Sequence, residues 1–232
     1  MTDWYKIKRV LTWVNWEEKQ IYPASRLPSA YQEVGYIQSS WTQRIDTWIT
    51  PNDSYYWFEA KLNVTQTSWD WCLMDMSNWS WTDNARFWVQ LYISANLFQA
   101  WWIRYQQWLN AEWYSIKWID RVIRYNYNFD KEVYIDGNKA TLYDVWNVRT
   151  LNDWSATYSR NWNIFCQTTT TQYTRFWSFK LYYMKIYLRT NLVRDFVPCY
   201  RKSDSVIWLY DLVNNQFYTN AGSWTFTKWP NV

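Results

Sequence analysis

Apolar and polar residues alternate with a period of two over much of this chain. In Ser54–Val64, Phe58, Ala60, Leu62 and Val64 share one face, with Glu59, Lys61 and Asn63 on the other. In Ala85–Ile93, Phe87, Val89, Leu91 and Ile93 alternate with Arg86 and Gln90. Successive side chains of a strand point to opposite faces, so this is the pattern of half-buried antiparallel strands. Lys131–Ile135 predicts a short strand running into Asp136-Gly137-Asn138. That triplet is a hairpin signal, because a tight primed turn needs positive φ at its centre. Lys139–Tyr143 is then the returning strand. Asn163–Gln167, Phe179–Leu188, Leu192–Val197, Val206–Tyr210 and Gln216–Tyr218 predict further strands, and no helical period exceeds two turns. About a dozen strands spaced roughly 8 to 15 residues apart predict an all-β fold, an antiparallel two-sheet β-sandwich or jelly roll.

The 232 residues suffice for one large sandwich with a short appendage and a core needing no disulfide staples. Residues 1–26 read as the appendage. Trp4–Val10 is a basic, strand-like run, Asn15–Gln20 is polar, and Pro23 and Pro28 mark a linker. Residues 27–232 read as the sandwich. The first ten residues lack the apolar run of a secretory signal, and Phe87–Ile103 is too polar and too strand-like to span a membrane.

Charge and rare residues narrow the chemistry. The net charge is +4, and the 24 basic residues are scattered rather than clustered, which argues against nucleic acid as a partner. Histidine is absent, which excludes Ser-His-Asp and Cys-His catalysis and every His-ligated metal site. Cys72, Cys166 and Cys199 are odd in number and lack a CxxC spacing, so buried thiols are expected rather than a disulfide framework or a zinc site.

The chain holds 23 Trp and 3 Gly. About 16 Gly would be ordinary for this length at the usual frequency of about 7%. Many of the Trp stand in turn-like contexts: Trp69, Trp71, Trp79 and Trp81 lie among Ser, Asn, Asp and Thr, and Trp229 precedes Pro230. Three readings are open. The codons meant glycine, for example UGA in a lineage that reassigns it; or the Trp form exposed platforms for sugars; or they are mostly core.

Two long stretches carry a resemblance. One runs Leu27-Pro28-x-x-Tyr31-Gln32-Glu33-Val34-x-Tyr36-Ile37-Gln38-Ser39-Ser40 and on to Thr42-Gln43-x-Ile45-Asp46-Thr47. The other runs Leu192-Val193-Arg194-Asp195-Phe196-Val197-Pro198-Cys199-Tyr200-Arg201-Lys202-Ser203-Asp204, then Leu209–Asn215 and Phe217–Ser223. Together they resemble a family of concanavalin-A-like, laminin-G-like domains in phage structural proteins and bacterial surface proteins. The resemblance covers about residues 27–232, closely at its ends and loosely in the middle. It implies a jelly-roll sandwich that binds glycans or surface proteins, on a virion tail or capsid or on a bacterial cell surface. It carries over no catalytic or ligand site. In that family the positions of Trp41, Trp48, Trp208, Trp224 and Trp229 are usually glycine, and Gly35 stands where an acidic residue is usual. All five tryptophans are expected at turns or strand ends, at least two with glycine-like φ or unusual exposure.

Candidate sites follow. Trp101, Trp102, Arg104 and Tyr105, close to Trp108 and Gln106, form the best stacking surface for a sugar if the Trp are genuine. Asp83, Asn84 and Arg86 complete the candidate ligand-binding set. Asp130 with Glu132, and Asp70 with Asp75, are the nearest approach to a glycosidase carboxylate pair, but each reads better as solvated polar surface. Calcium would need several loop oxygens, and Asp70, Asp75, Asp83 and Asn84 are the local cluster; no cofactor is expected. Arg194, Asp195, Arg201, Lys202 and Asp204 read as salt links and turn contacts closing the C-terminal strands. The expected role is a non-enzymatic binding or adhesion module, held to a larger assembly through its N-terminal segment by strand addition.

Overall fold

The computed structural model describes residues 10–14, 17–21, 26–40, 42–50, 56–65, 74–77, 86–92, 97–101, 108–111, 118–126, 132–140, 142–144, 160–169, 172–174 and 176–232. Among them there is no helix, and so none long and apolar enough to cross a membrane.

Val10–Val14 (β1) and Glu17–Ile21 (β2) form a two-stranded antiparallel sheet of their own. The polar stretch expected to lead into a linker is thus partly a strand. The chain then lays down Tyr31–Gln38 (β3), Ile45–Asp46 (β4) and Tyr56–Val64 (β5). Met74–Ser77 (β6), Arg86–Tyr92 (β7), Leu97–Trp101 (β8) and Trp108–Ala111 (β9) follow as a meander. Next come Arg121–Asn126 (β10), Glu132–Ile135 (β11), Asn138–Lys139 (β12) and Leu142–Asp144 (β13). Asn163–Ile164 (β14), Gln167–Thr169 (β15) and Tyr173–Thr174 (β16) are short. Phe179–Leu188 (β17) and Asn191–Arg201 (β18) are the longest, followed by Ile207–Asp211 (β19), Gln216–Tyr218 (β20) and Thr227–Asn231 (β21).

One large sheet runs β12-β11-β10-β5-β17-β3-β18-β19-β20, with β21 also on β3. The other runs β13-β9-β8-β7-β6-β14-β4, with β15 and β16 attached. Among the described strands all pairings are antiparallel except β15 on β6. The result is an all-β, sandwich-like arrangement.

The core lies between the sheets. Phe58, Ala60, Leu62 and Val64 of β5 are fully buried, as their alternation predicts, and so are Phe179, Leu181, Met184 and Ile186 of β17. Ile45 and Ile164 of the second sheet join the same cluster, with Trp162, Phe165 and Trp177 from its connections. Phe165 stacks on Phe179 at 4.2 Å between centroids, and Tyr56 meets Trp162 edge-on at 5.0 Å. Ring pairs of this kind add to the apolar burial that drives folding. A smaller cluster of Leu27, Val197, Cys199 and Tyr210, with Tyr31 and Phe217 against it, packs around β18 and β19.

Several strands depart from their predicted limits for local reasons. The hairpin at Asp136-Gly137 forms with φ of 51° and 79°, but the return is two residues long, and Leu142–Asp144 pairs with β9 of the other sheet. Asn163–Gln167 is not one strand: Phe165 has φ 76°, which breaks it into β14 and β15 and turns its ring into the core. β18 continues to Arg201, four residues past its predicted end, because β3 and β19 both pair with its second half.

Candidate functional site

The face of the larger sheet opposite the core carries a patch assembled from three neighbouring strands and one loop. Core-facing Ile37, Leu62 and Leu181 leave Tyr36, Lys61 and Lys180 on that outer side. β17 adds a device of its own. Its register against β5 slips between Leu181, opposite Leu62, and Tyr183, opposite Lys61. Tyr182 is the extra residue of this bulge, and bulges re-aim side chains. Buried residues therefore fall at 179, 181, 184 and 186, and Tyr182 and Tyr183, adjacent in sequence, are both half-exposed.

Asp120 enters from the loop before β10. Its Oδ1 accepts from Tyr182 Oη at 2.7 Å and from Asn63 Nδ2 at 2.9 Å, and its Oδ2 lies 3.3 Å from Lys61 Nζ. Asn63 keeps the outward face predicted for it but is 8% exposed, since Trp118 N–H bonds Val64 O and folds this loop over the strand end. Burial would raise the Asp120 pKa; the hydrogen bonds from Asn63, Tyr182 and Lys61 outweigh it and hold the carboxyl below its usual value. The Tyr182 phenol is pushed up, first by burial and then by the Asp120 carboxylate.

The rings sit beside this polar group. Tyr36 and Tyr182 meet edge-on at 5.3 Å, Lys61 Nζ lies 4.5 Å over the Tyr182 ring, and Lys180 Nζ lies 4.7 Å over Tyr36. Such cation–ring contacts hold long lysines in place at the surface. Further along the same face, Tyr183 Oη donates to Glu59 Oε1 at 3.1 Å, and Trp57 stacks on Tyr187 at 3.8 Å, with Arg124 near Trp57 and Tyr134. In the patch itself the ammonium groups of Lys61 and Lys180 flank the single Asp120 carboxylate, while further along the face Lys185 stands against Glu59 and Asp195, and Arg124 against Glu132. A carboxylate oxygen can accept two hydrogen bonds, so Oδ2 retains acceptor capacity for a hydroxyl. Asn63 Oδ1 is buried with no hydrogen-bond partner among the described residues. Aromatic faces, a fixed carboxylate, an amide and two ammonium groups can together hold a polyhydroxylated ring.

Of the sequence-predicted site, Trp101 lies at the end of β8, its backbone opposite Trp88 and Trp108, and Arg86 opens β7 opposite Ser77. Trp102, Arg104, Tyr105, Asp83 and Asn84 lie outside the described residues, as do Asp70 and Asp130 of the carboxylate and calcium candidates. Asp75 lies in β6. Glu132 is tied to Lys139 and Tyr134 on a strand edge, and the Lys139 and Tyr134 hydrogen bonds keep its pKa below the usual value. No cluster of three or more metal-ligating Cys, Asp or Glu occurs among the described residues. Cys166 and Cys199 are buried thiols, and Cys72 lies outside the described residues.

The Arg194–Asp195 group closes the C-terminal strands. Asp211, fully buried, accepts from the backbone N–H of Asp195 at 2.9 Å and of Val213 at 3.0 Å, and from Asn214 Nδ2 at 2.6 Å, with Arg194 Nε at 3.6 Å. Arg201 pairs with Asp204 across the next turn, where Asp204 also accepts from Val206 N–H. These are salt links and turn contacts, as the sequence suggested, with Asp211 as the hub that sequence reasoning missed.

No family model matches the chain, and neither does any curated protein or solved structure.

Proposed function

We propose that this chain is a non-enzymatic binding module that takes a glycan on the Tyr36–Lys180–Tyr182–Lys61–Asp120 face. The observation that carries this reading is Asp120 held by Asn63, Tyr182 and Lys61 directly beside two tyrosine rings. Ligand sites combine apolar and aromatic surface with a few placed polar groups, and this patch has both. The two ammonium groups of Lys61 and Lys180 beside the single Asp120 carboxylate suit an acidic sugar polymer. The resemblance to concanavalin-A-like and laminin-G-like domains of phage structural and bacterial surface proteins supports the jelly-roll assignment. It also supports display on a virion tail or capsid, with a bacterial surface lectin as the second setting. Residues 1–26 would join the module to its assembly.

A glycan array with the native protein, Tyr36→Ala and Asp120→Ala tests the binding reading. Binding of acidic glycans weakened by about tenfold or more in both variants is expected, the scale of losing a charge-assisted contact. A folded native protein that retains no glycan would replace this reading with a protein-binding or purely structural role.

A further inference from the structure

Trp48, Trp118 and Trp224 share a backbone state that large side chains avoid. Their φ values are 54°, 61° and 66°, and they are 55%, 61% and 73% exposed. In the left-handed region Cβ crowds the following carbonyl, so glycine adopts it readily, Asn and Asp sometimes, and bulky residues seldom. Five described tryptophans lie outside strands, at 48, 118, 162, 177 and 224, and three of these five are left-handed. Burial does not compensate these three, unlike Trp162 and Trp177 in the core.

At each position the main chain is held by its neighbours. Trp48 N–H donates to Asp46 Oδ1 at 2.8 Å, between buried Thr47 and Ile49. Trp118 N–H donates to Val64 O at 3.0 Å, which starts the loop bearing Asp120. Trp224 O accepts from Asn220 Nδ2. These hydrogen bonds are made by the main chain and not by the indole, although the Trp48 ring also lies 4.7 Å from the Tyr218 ring. The chain supplies 23 Trp against 3 Gly, and Gly137 is the single glycine with positive φ among the described residues.

We propose that positions 48, 118 and 224 carry glycine in the protein its native cell makes, each encoded by a reassigned codon such as UGA that the cell reads as glycine. Trp118 was not among the five positions that the family resemblance singled out; its backbone adds it. None of the three is among the residues assigned to the proposed glycan-binding face, although position 118 begins the loop that carries Asp120; the proposal is read from peptide masses and not from binding.

The test is peptide mass spectrometry of the protein isolated from its native cell. The fragments Ile45–Lys61, Trp118–Arg121 and Ser203–Lys228 should each be lighter by at least one indolylmethyl-for-hydrogen difference, with fragmentation placing glycine at 48, 118 and 224. Tryptophan at any of the three overturns the proposal. Recombinant protein gives a second readout. Each of Trp48→Gly, Trp118→Gly and Trp224→Gly should melt at a higher temperature than the matching Ala variant. Ala also removes the exposed indole but keeps the Cβ. Alanine variants as stable as, or more stable than, the glycine variants overturn it too.

Discussion

Tyr182 Oη donates a 2.7 Å hydrogen bond to Asp120 Oδ1, joining a strand phenol to a loop carboxylate 62 residues away in sequence. The bond exists because a bulge turns Tyr182 outward and a left-handed turn at Trp118 brings Asp120 over Asn63. If the face acts as one unit, the two residues must be energetically coupled. A double-mutant cycle of Tyr182→Phe with Asp120→Asn should give a coupling of about 1 kcal/mol, measured by chemical denaturation. Asp120→Asn should also bring the Tyr182 titration down, read by ultraviolet absorbance.

The pH dependence follows from the same carboxylate. Its folded pKa lies below the ordinary 3.8, so its stabilising effect is complete above that value and is lost as pH falls through the lower folded pKa. Thermal stability should therefore fall less steeply on acidification below pH 3.8 in Asp120→Asn than in the native protein. Equal acid dependence in the two would remove Asp120 from the patch's energetics.

Asp211 offers a stability test away from the face. Replacing it with Ala strands two backbone donors and leaves Arg194 without its buried partner. The expected loss is about 3 kcal/mol, near the cost of breaking a buried ion pair. Urea unfolding measures it.

The two glycines that the structure constrains should respond differently to alanine. Gly137 has open space where a Cβ would stand but φ of 79°, so Gly137→Ala should cost about 1 kcal/mol from backbone strain alone. At Gly222 a Cβ would fall 2.0 Å from the Thr42 backbone oxygen, which cannot rotate away. Gly222→Ala should cost more, about 2–3 kcal/mol, by forcing the two segments apart. A larger melting-temperature drop for Gly137→Ala than for Gly222→Ala would reverse this ordering.

Cys199 should be inert in the folded protein. Burial, with a smaller contribution from Glu33, pushes its thiol up to about 12. Native alkylation at about pH 8 should leave the Cys199 peptide unmodified, while alkylation in denaturant labels it fully.

Much of the large sheet is readable from spacing. β17 and β20 occupy their predicted residues, β5 buries the four predicted side chains, and Asp136-Gly137 turns as primed hairpins do. Two of the five tryptophans expected to be turn-like, Trp48 and Trp224, have left-handed φ. Trp208 and Trp229 lie within β19 and β21 instead, and Trp41 lies outside the described residues. The break at Phe165 was not readable, because an aromatic in an apolar run carries no local signal for positive φ.

The proposed binding face was the larger omission. Tyr36, Lys61, Asp120 and Lys180 are ordinary polar-face residues in their own segments, and no motif links them. The slip at Tyr182 does leave a trace, a three-residue gap between Leu181 and Met184 where a strict alternation would have two.

By itself the sequence determined that this chain is all-β, which strand faces are apolar and where the hairpin at Asp136-Gly137 turns, because those follow from neighbours in the chain. Only the tertiary structure decided that β17 lies between β5 and β3 and that Asp120 bonds Tyr182, since strand order and loop docking are set by packing between distant segments.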